Sequence, residues 1–198
     1  MNVSRRIYWP ASTLIGPGCV KEIGEDIKDL GLEKALIVTD KILNEIGVVK
    51  KVTDVLDKSG IKYKIVDDVR PNPTMKNIHD GLKVYQENKC DFIISIGGGS
   101  PQDAGKAIGI LAANGGEIKD YEGVNISKKK SVPIIAINTT AGTASEVTIF
   151  YVITNEEKHI KMVMVDKNCL ATIAVSDPEL MINKPASLTA ATGMDTLT

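Results

Sequence analysis

Two short stretches of this chain carry residues whose types and spacing suit them to hold an anion. Gly97-Gly98-Gly99-Ser100-Pro101-Gln102-Asp103 follows an apolar run and opens a helical pattern. Glycines at such a junction let the backbone approach a phosphate, and the first N–H groups of the helix offer it the positive end of the helix dipole. Pro101 suits a first helical position, where no N–H is needed. The loop has neither GxGxxG spacing nor the Gly-Lys-Ser/Thr of a Walker loop. A tight strand-to-helix turn would also use glycine, but three in succession exceed what a turn requires, and this favours phosphate binding. The second stretch, Asn138-Thr139-Thr140-Ala141-Gly142-Thr143-Ala144-Ser145-Glu146, follows another apolar run. Hydroxyls and small residues at the C-terminal end of a strand lie where open α/β sheets bind ligands. Ser145 lacks the GxSxG context of a hydrolase nucleophile and has no histidine near it in sequence, so a helix cap with Glu146 beside it is the plainer reading. Asp40, in Val38-Thr39-Asp40-Lys41, ends a strand where a carboxylate can accept hydrogen bonds from a ribose and repel a 2′-phosphate. Capping a helix or turn explains Asp40 equally well.

These loops need elements to position them, and the apolar periodicity supplies those. Arg6–Trp9 and Ser12–Ile15 read as two short strands forming a hairpin around Pro10-Ala11. Val20, Ile23, Ile27 and Leu30 recur at helical spacing, with Gly31 able to close the helix in a left-handed conformation. From there strands and helices alternate. Ala35–Val38 leads to a helix bearing Val48, Val52, Val55 and Leu56, and Tyr63–Val66 leads through Arg70-Pro71-Asn72-Pro73 to a helix bearing Met75, Ile78, Leu82 and Tyr85. Phe92–Ile96 leads to the glycine loop and a helix from Pro101 to about Ala113. A further strand, Pro133–Ile137, enters the threonine loop. Short apolar strands alternating with amphipathic helices predict an α/β, Rossmann-like parallel sheet covered on both faces. After Gly142 the pattern changes to three strands, Ile149–Ile153, Lys161–Val165 and Ala171–Val175, the first two joined by a polar turn. Helical signals return after Asp177, and Ala190–Thr198 reads as a helix with no stop signal after it.

Composition narrows the function classes. The chain has 198 residues, 43% hydrophobic and 25% charged, enough for a packed core. Its 24 basic and 25 acidic residues nearly cancel, which gives no reason to expect nucleic acid or an acidic membrane as partner. Cys19, Cys90 and Cys169 are odd in number and far apart, as expected of buried thiols in a reducing cytoplasm rather than disulfides or a zinc site. No apolar run approaches the roughly 20 residues a membrane helix requires.

Taken together, Ile37–Asp40, Pro71-Asn72-Pro73, the glycine loop, Thr139–Thr143 with Ser145–Thr148, and Asp177–Met181 running on to Ala190–Asp195 resemble the iron-containing (group III) alcohol dehydrogenases. The likeness runs in order along essentially the whole chain. Within that family it looks most similar to lactaldehyde/1,2-propanediol and 1,3-propanediol dehydrogenases. The resemblance implies a dehydroquinate synthase-like nucleotide-binding domain at 1–183, with 184–198 the first helix of a truncated, metal-binding helical domain. It implies NAD as cofactor and Gly97, Gly98, Gly99 and Ser100 around the pyrophosphate. Thr139, Thr140 and Thr143 would meet the phosphates and the nicotinamide side, with Thr148 near. Asp40 would lie by the adenine ribose and favour NAD over NADP. Asn72, Lys161 and Leu180 would line the cofactor cleft, and Asp103 would face the nicotinamide.

For the metal, Fe²⁺ or Zn²⁺, the resemblance implies one aspartate and three histidines. Asp195 matches the aspartate, and the next ligand would stand at position 199, beyond the last residue. The two histidines present, His79 on a predicted helix and His159 in a predicted turn, read as surface residues. The expectation is therefore the cofactor-binding part of a cytoplasmic, homo-oligomeric dehydrogenase that interconverts a small alcohol or diol and its aldehyde. Alone it should lack a metal site and turnover. The alternatives are a non-enzymatic fragment that binds nucleotide or self-associates through Leu180, Met181, Ile182, Leu188 and Leu197, and a relative of glycerol dehydrogenase or dehydroquinate synthase.

Overall fold

The computed structural model describes residues 4 and 6–197. Its elements run in chain order as β1 (Ser12–Ile15), α1 (Ile23–Asp29), β2 (Lys34–Val38), α2 (Lys41–Glu45), α3 (Val48–Ser59), β3 (Lys62–Val66), α4 (Met75–Glu87), β4 (Phe92–Gly97), α5 (Gly99–Asn114), β5 (Gly123–Val124), β6 (Ile134–Asn138), β7 (Phe150–Asn155), β8 (Ile160–Val165), β9 (Ile173–Ser176) and α6 (Ala186–Leu197). Six strands form one parallel sheet in the order β1-β9-β6-β4-β2-β3. Every residue of β4 and β6 is buried. Strands covered on both faces read as unbroken apolar runs rather than alternation, because neither face meets water. On one face Ala35, Ile37, Ile94 and Ile96 pack against α1 and α3, through Ile23, Ile27, Val52 and Leu56. On the other, Leu36, Val38, Ile93 and Ala136 pack against α4 and α5.

The remaining strands form a small second sheet, β5-β8-β7, in which β7 and β8 make an antiparallel hairpin. Tyr151, Ile153, Met162 and Met164 turn inward from it onto α5 and close that side of the core. The hairpin thus stands over α5 and overhangs the start of that helix.

Several expectations are corrected in detail. Residues 6–11 form no strand, and the N-terminal hairpin does not exist: Ser12–Ile15 pairs in parallel with Ile173–Ser176 instead. Pro10 lacks an N–H, and the Trp9 indole N–H turns to the Thr13 hydroxyl at 3.1 Å. The helix after β2 is broken in two by Gly47 at φ 81°. Helix α5 starts at Gly99, so Pro101 is its third residue, still within the first turn where N–H groups have no intrahelical acceptor. Gly31 does adopt the left-handed conformation expected of it, φ 67°.

Candidate functional site

The strand order reverses direction at β2 and β4. From β2 the chain steps outward to β3; from β4 it steps the other way to β6, and the helices that follow lie on opposite faces. Such a switch point opens a crevice outside the carboxyl ends of the strands, the general ligand site of open α/β sheets. The register places the two motifs there as a pair, because Gly97 and Asn138 are partners across β4 and β6. The glycine loop and the threonine loop therefore leave the sheet side by side. The Thr139 N–H donates to the Gly97 carbonyl at 3.1 Å, and the Thr140 N–H to the Asn138 side chain at 3.0 Å.

Their approach is close. A Cβ on Gly98 would lie 2.9 Å from both the Cγ2 and the Oγ1 of Thr140, and one on Gly99 would lie 3.3 Å from Thr143 Cγ2. Gly98, Gly99 and Ser100, at the N-terminus of α5, line one cavity together with Thr139, Thr140 and Thr143, and the first N–H groups of a helix have no intrahelical acceptor. That is the geometry of an anion cradle. Behind it, the Gln102 side chain is buried. Its Nε2 donates to the Ile137 carbonyl at 3.0 Å, and its Oε1 accepts from the Ser95 hydroxyl at 2.5 Å, bracing the ends of β4 and β6.

Two cavities meet at Gly99 and Ser100. The larger, about 640 Å³, runs from Asp40 past Gly98 to Thr139, Thr140 and Thr143, with Leu180, Leu188 and Thr192 opposite. The smaller, about 350 Å³, lies beneath the hairpin and is walled by Asn72, Asp103, Val152, Thr154 and Lys161. Asp40 combines both roles weighed for it: it lines the larger cavity, and its Oδ1 caps α2 by accepting from the Leu43 N–H at 2.9 Å. Asn72 sits at φ 59° with its N–H on the Ser100 hydroxyl at 3.3 Å. Gly97, at φ 155° under Pro101, and Thr148 line neither cavity. Asp195 stands at the threonine loop, since a Cβ on Gly142 would lie 3.2 Å from its Oδ2. His79 pairs with Glu117 at 3.0 Å on the surface, and His159 is exposed in the hairpin turn at φ 54°.

Below the smaller cavity lies a polar cluster absent from the sequence reading. Asp103 accepts the Val152 N–H at 3.1 Å and the Ser145 hydroxyl at 3.2 Å. Burial pushes its carboxyl up to about 6, against the opposing pull of Lys106 and of these hydrogen bonds. Lys106 is itself buried, and burial draws its ammonium below the ordinary lysine range. Ser145 is correspondingly not a cap: its hydroxyl points inward to Asp103 and Lys106, while Ala144 holds the turn start at φ 48°. The missed signal is a lysine and a glutamine four residues apart on a helix whose other inward residues are apolar, since both then point into the core.

The sequence model described as iron-containing alcohol dehydrogenase matches residues 10–178. The chain is 49% identical over 191 residues to alcohol dehydrogenase 4 of Schizosaccharomyces pombe, an alignment covering 96% of this chain and 45% of the relative. It is 47% identical over 190 residues to an NAD-dependent methanol dehydrogenase of Bacillus methanolicus, covering 96% of this chain and 50% of that protein. Among solved structures, a 1,3-propanediol oxidoreductase superposes with a TM-score of 0.97 at 46% identity, over 99% of this chain and 51% of its own. The chain spans about half the length of the curated relatives it matches.

Proposed function

Because the chain belongs to the iron-containing alcohol dehydrogenase family, we propose that it is the NAD-holding part of a dehydrogenase that interconverts a small alcohol or diol and its aldehyde. The observation that carries this reading is the paired departure of the glycine and threonine loops from Gly97 and Asn138, with no room for a Cβ at Gly98. The backbone N–H groups of Gly98, Gly99 and Ser100 suit a pyrophosphate, and Asp40 at the far end of the larger cavity suits a ribose without a 2′-phosphate. Leu180 offers an apolar wall on the same side. The nicotinamide half then falls toward the smaller cavity, among Asn72, Asp103 and Lys161, with Thr139, Thr140 and Thr143 along the way. NAD supplies the hydride acceptor; the chain's own residues orient it and exclude water around it.

The metal fits less well. Among the described residues no group of three His, Cys, Asp or Glu side chains could hold an ion. Asp195 is the one side chain among the described residues that matches the ligand set implied by the family resemblance. In this reading residues 1–183 form the nucleotide unit and 184–198 begin a helical, metal-holding unit of a cytoplasmic, oligomeric enzyme. No helix among the described residues is long and apolar enough to cross a membrane. A second reading, self-association through an apolar face, draws on Ile182, Leu188 and Leu197, which are between 44% and 79% exposed; Leu180, expected in that face, is instead buried, and Met181 is half-buried.

NADH fluorescence titration of the chain, with ADP as competitor, tests the first reading. Saturable binding displaced by ADP is expected, with no alcohol-dependent NADH production on addition of Fe²⁺ or Zn²⁺. Absence of binding would overturn the cleft assignment, and metal-dependent turnover would overturn the division at 183. Light scattering tests the second reading, which a monodisperse monomer would refute.

A further inference from the structure

We propose that Lys106 is a positioning residue, a buried strut that holds the segment 145–150 in place and so aligns the nicotinamide half of the site. The proposal rests on the nucleotide reading above. An ammonium has three N–H donors and no acceptor, and all three of these find partners within six residues of chain. Lys106 Nζ donates to the Ser145 hydroxyl at 3.0 Å, the Thr148 hydroxyl at 3.2 Å and the Phe150 carbonyl at 2.7 Å. The side chain is 1% exposed.

Burying a charge at this depth is costly, and an apolar side chain of the same length would fill the space without that cost. What methionine could not do is fix three oxygen atoms at once. The segment needs fixing, because it connects two walls that belong to different elements. At its start, Thr143 faces Gly99 across the anion cradle, and Ala144 adopts the left-handed backbone conformation at φ 48°, which a non-glycine residue holds only when its surroundings impose it. At its end, β7 begins, and Val152 and Thr154 wall the smaller cavity.

Asp103, three residues before Lys106 on α5, completes the brace. The Ser145 hydroxyl has one proton; it accepts from Lys106 and donates to Asp103, so the bond directions run from ammonium through hydroxyl to carboxylate. Asp103 then takes the Val152 N–H. One turn of α5 thereby grips the segment at Ser145, Thr148, Phe150 and Val152. A lateral shift of these residues moves the nicotinamide-side walls and leaves the Asp40 end of the larger cavity untouched, since Asp40, Leu43 and Leu180 are carried by other elements.

This difference between the two halves sets the test. Wild type and Lys106→Met of the full 198-residue chain are titrated with NADH and, separately, with ADP, after circular dichroism has shown both to be folded. The expected result is a tenfold or greater loss of NADH affinity with ADP affinity changed by less than twofold. Equal losses for both ligands, or no loss for either, would overturn the proposal while leaving the cleft assignment standing. A wild-type chain that binds neither ligand would instead refute the cleft assignment on which the proposal rests. If Lys106→Met does not fold, Ser145→Ala replaces it, since Ser145 lines neither cavity and supplies one of the three oxygens that Lys106 holds. The same split is expected, a several-fold loss of NADH affinity with ADP affinity unchanged, and equal losses or none refute the strut.

Discussion

Replacing Gly98 with alanine adds one carbon at the narrowest point of the anion cradle. The backbone there has φ −79°, outside the left-handed region, so the substitution tests space rather than conformation. The new Cβ would lie 2.9 Å from both Cγ2 and Oγ1 of Thr140 and 3.6 Å from its Cβ. Carbon atoms in comfortable contact sit about 3.5–4.0 Å apart, so the deficit is at least about half an ångström. Rotation of Thr140 about χ1 does not remove it. Two of its three staggered positions face Gly98 and two are occupied by heavy atoms, so every rotamer leaves at least one in the way. The loops must part, at about 1–3 kcal/mol of overpacking cost, or roughly 2 to 12 °C in Tm for a chain of this size. Parting them also displaces N–H groups that would meet the pyrophosphate. Losing one charge-assisted hydrogen bond costs about 1.5–3 kcal/mol, roughly 10- to 150-fold in Kd for NADH. The assay is NADH titration beside thermal melting. Adding Thr140→Ala removes both offending atoms, so the double variant should regain the stability lost by Gly98→Ala alone. An NADH Kd within twofold of wild type and an unchanged Tm for Gly98→Ala would refute the cradle.

Three further outcomes are expected. Asp177 is fully buried and accepts N–H groups from Gly18 at 3.0 Å, Val20 at 3.1 Å and Glu179 at 2.9 Å. Asp177→Ala strips all three of their acceptor and should cost at least about 3 kcal/mol in urea denaturation; a wild-type midpoint would disprove the clamp. Asp103, with its carboxyl raised from 3.8 to about 6, keeps in the native state a proton that the unfolded chain has released. Stability should therefore fall as pH rises from about 4 to about 6, by about 3 kcal/mol in all, and level off above. Asp103→Asn should flatten that slope in urea midpoints taken across the window, and an unaltered slope would count against the burial assigned to it. Asp40→Ser keeps a helix-capping oxygen but removes the charge, so affinity for NADPH relative to NADH should improve roughly tenfold, about 1.4 kcal/mol. A constant ratio of the two dissociation constants would dissociate Asp40 from ribose recognition.

What the sequence disclosed was local. Apolar runs such as Phe92–Ile96 and Pro133–Ile137 identified β4 and β6, because a strand covered on both faces has no polar alternation to confuse it. Gly97–Ser100 and Asn138–Thr143 were recognisable because their residue types suit a strand end. What remained hidden was long-range. That Gly97 and Asn138 are register partners depends on pairing across an intervening helix, and no residue type announces it. Ser12–Ile15 was mispaired for the same reason: a nearby partner was assumed where the true one, Ile173–Ser176, lies at the other end of the chain. Lys106 was overlooked, and Ser145 was read as a cap, because each looks like a surface residue until its facing neighbours are known. Gln102 stood inside a recognised motif, yet its brace on the Ile137 carbonyl needed the neighbouring strand to be visible.

The pairing of β1 with β9, closed by the Asp177 carboxylate on Gly18 and Val20, joins groups 159 and 157 positions apart. During synthesis at about 5–20 residues per second, Gly18 waits roughly 8 to 30 s for that partner to emerge. Until then β6 has an uncovered edge where β9 will lie, and the Ser12–Ile15 segment has no strand to join. Unpaired edges and non-local closure both slow folding and invite pairing with other chains. The six-stranded sheet is therefore completed only when β9 inserts between β6 and β1, and a ribosome-stalled chain ending before Ile173 should be far more prone to aggregation, or to capture by chaperones, than one carrying Asp177.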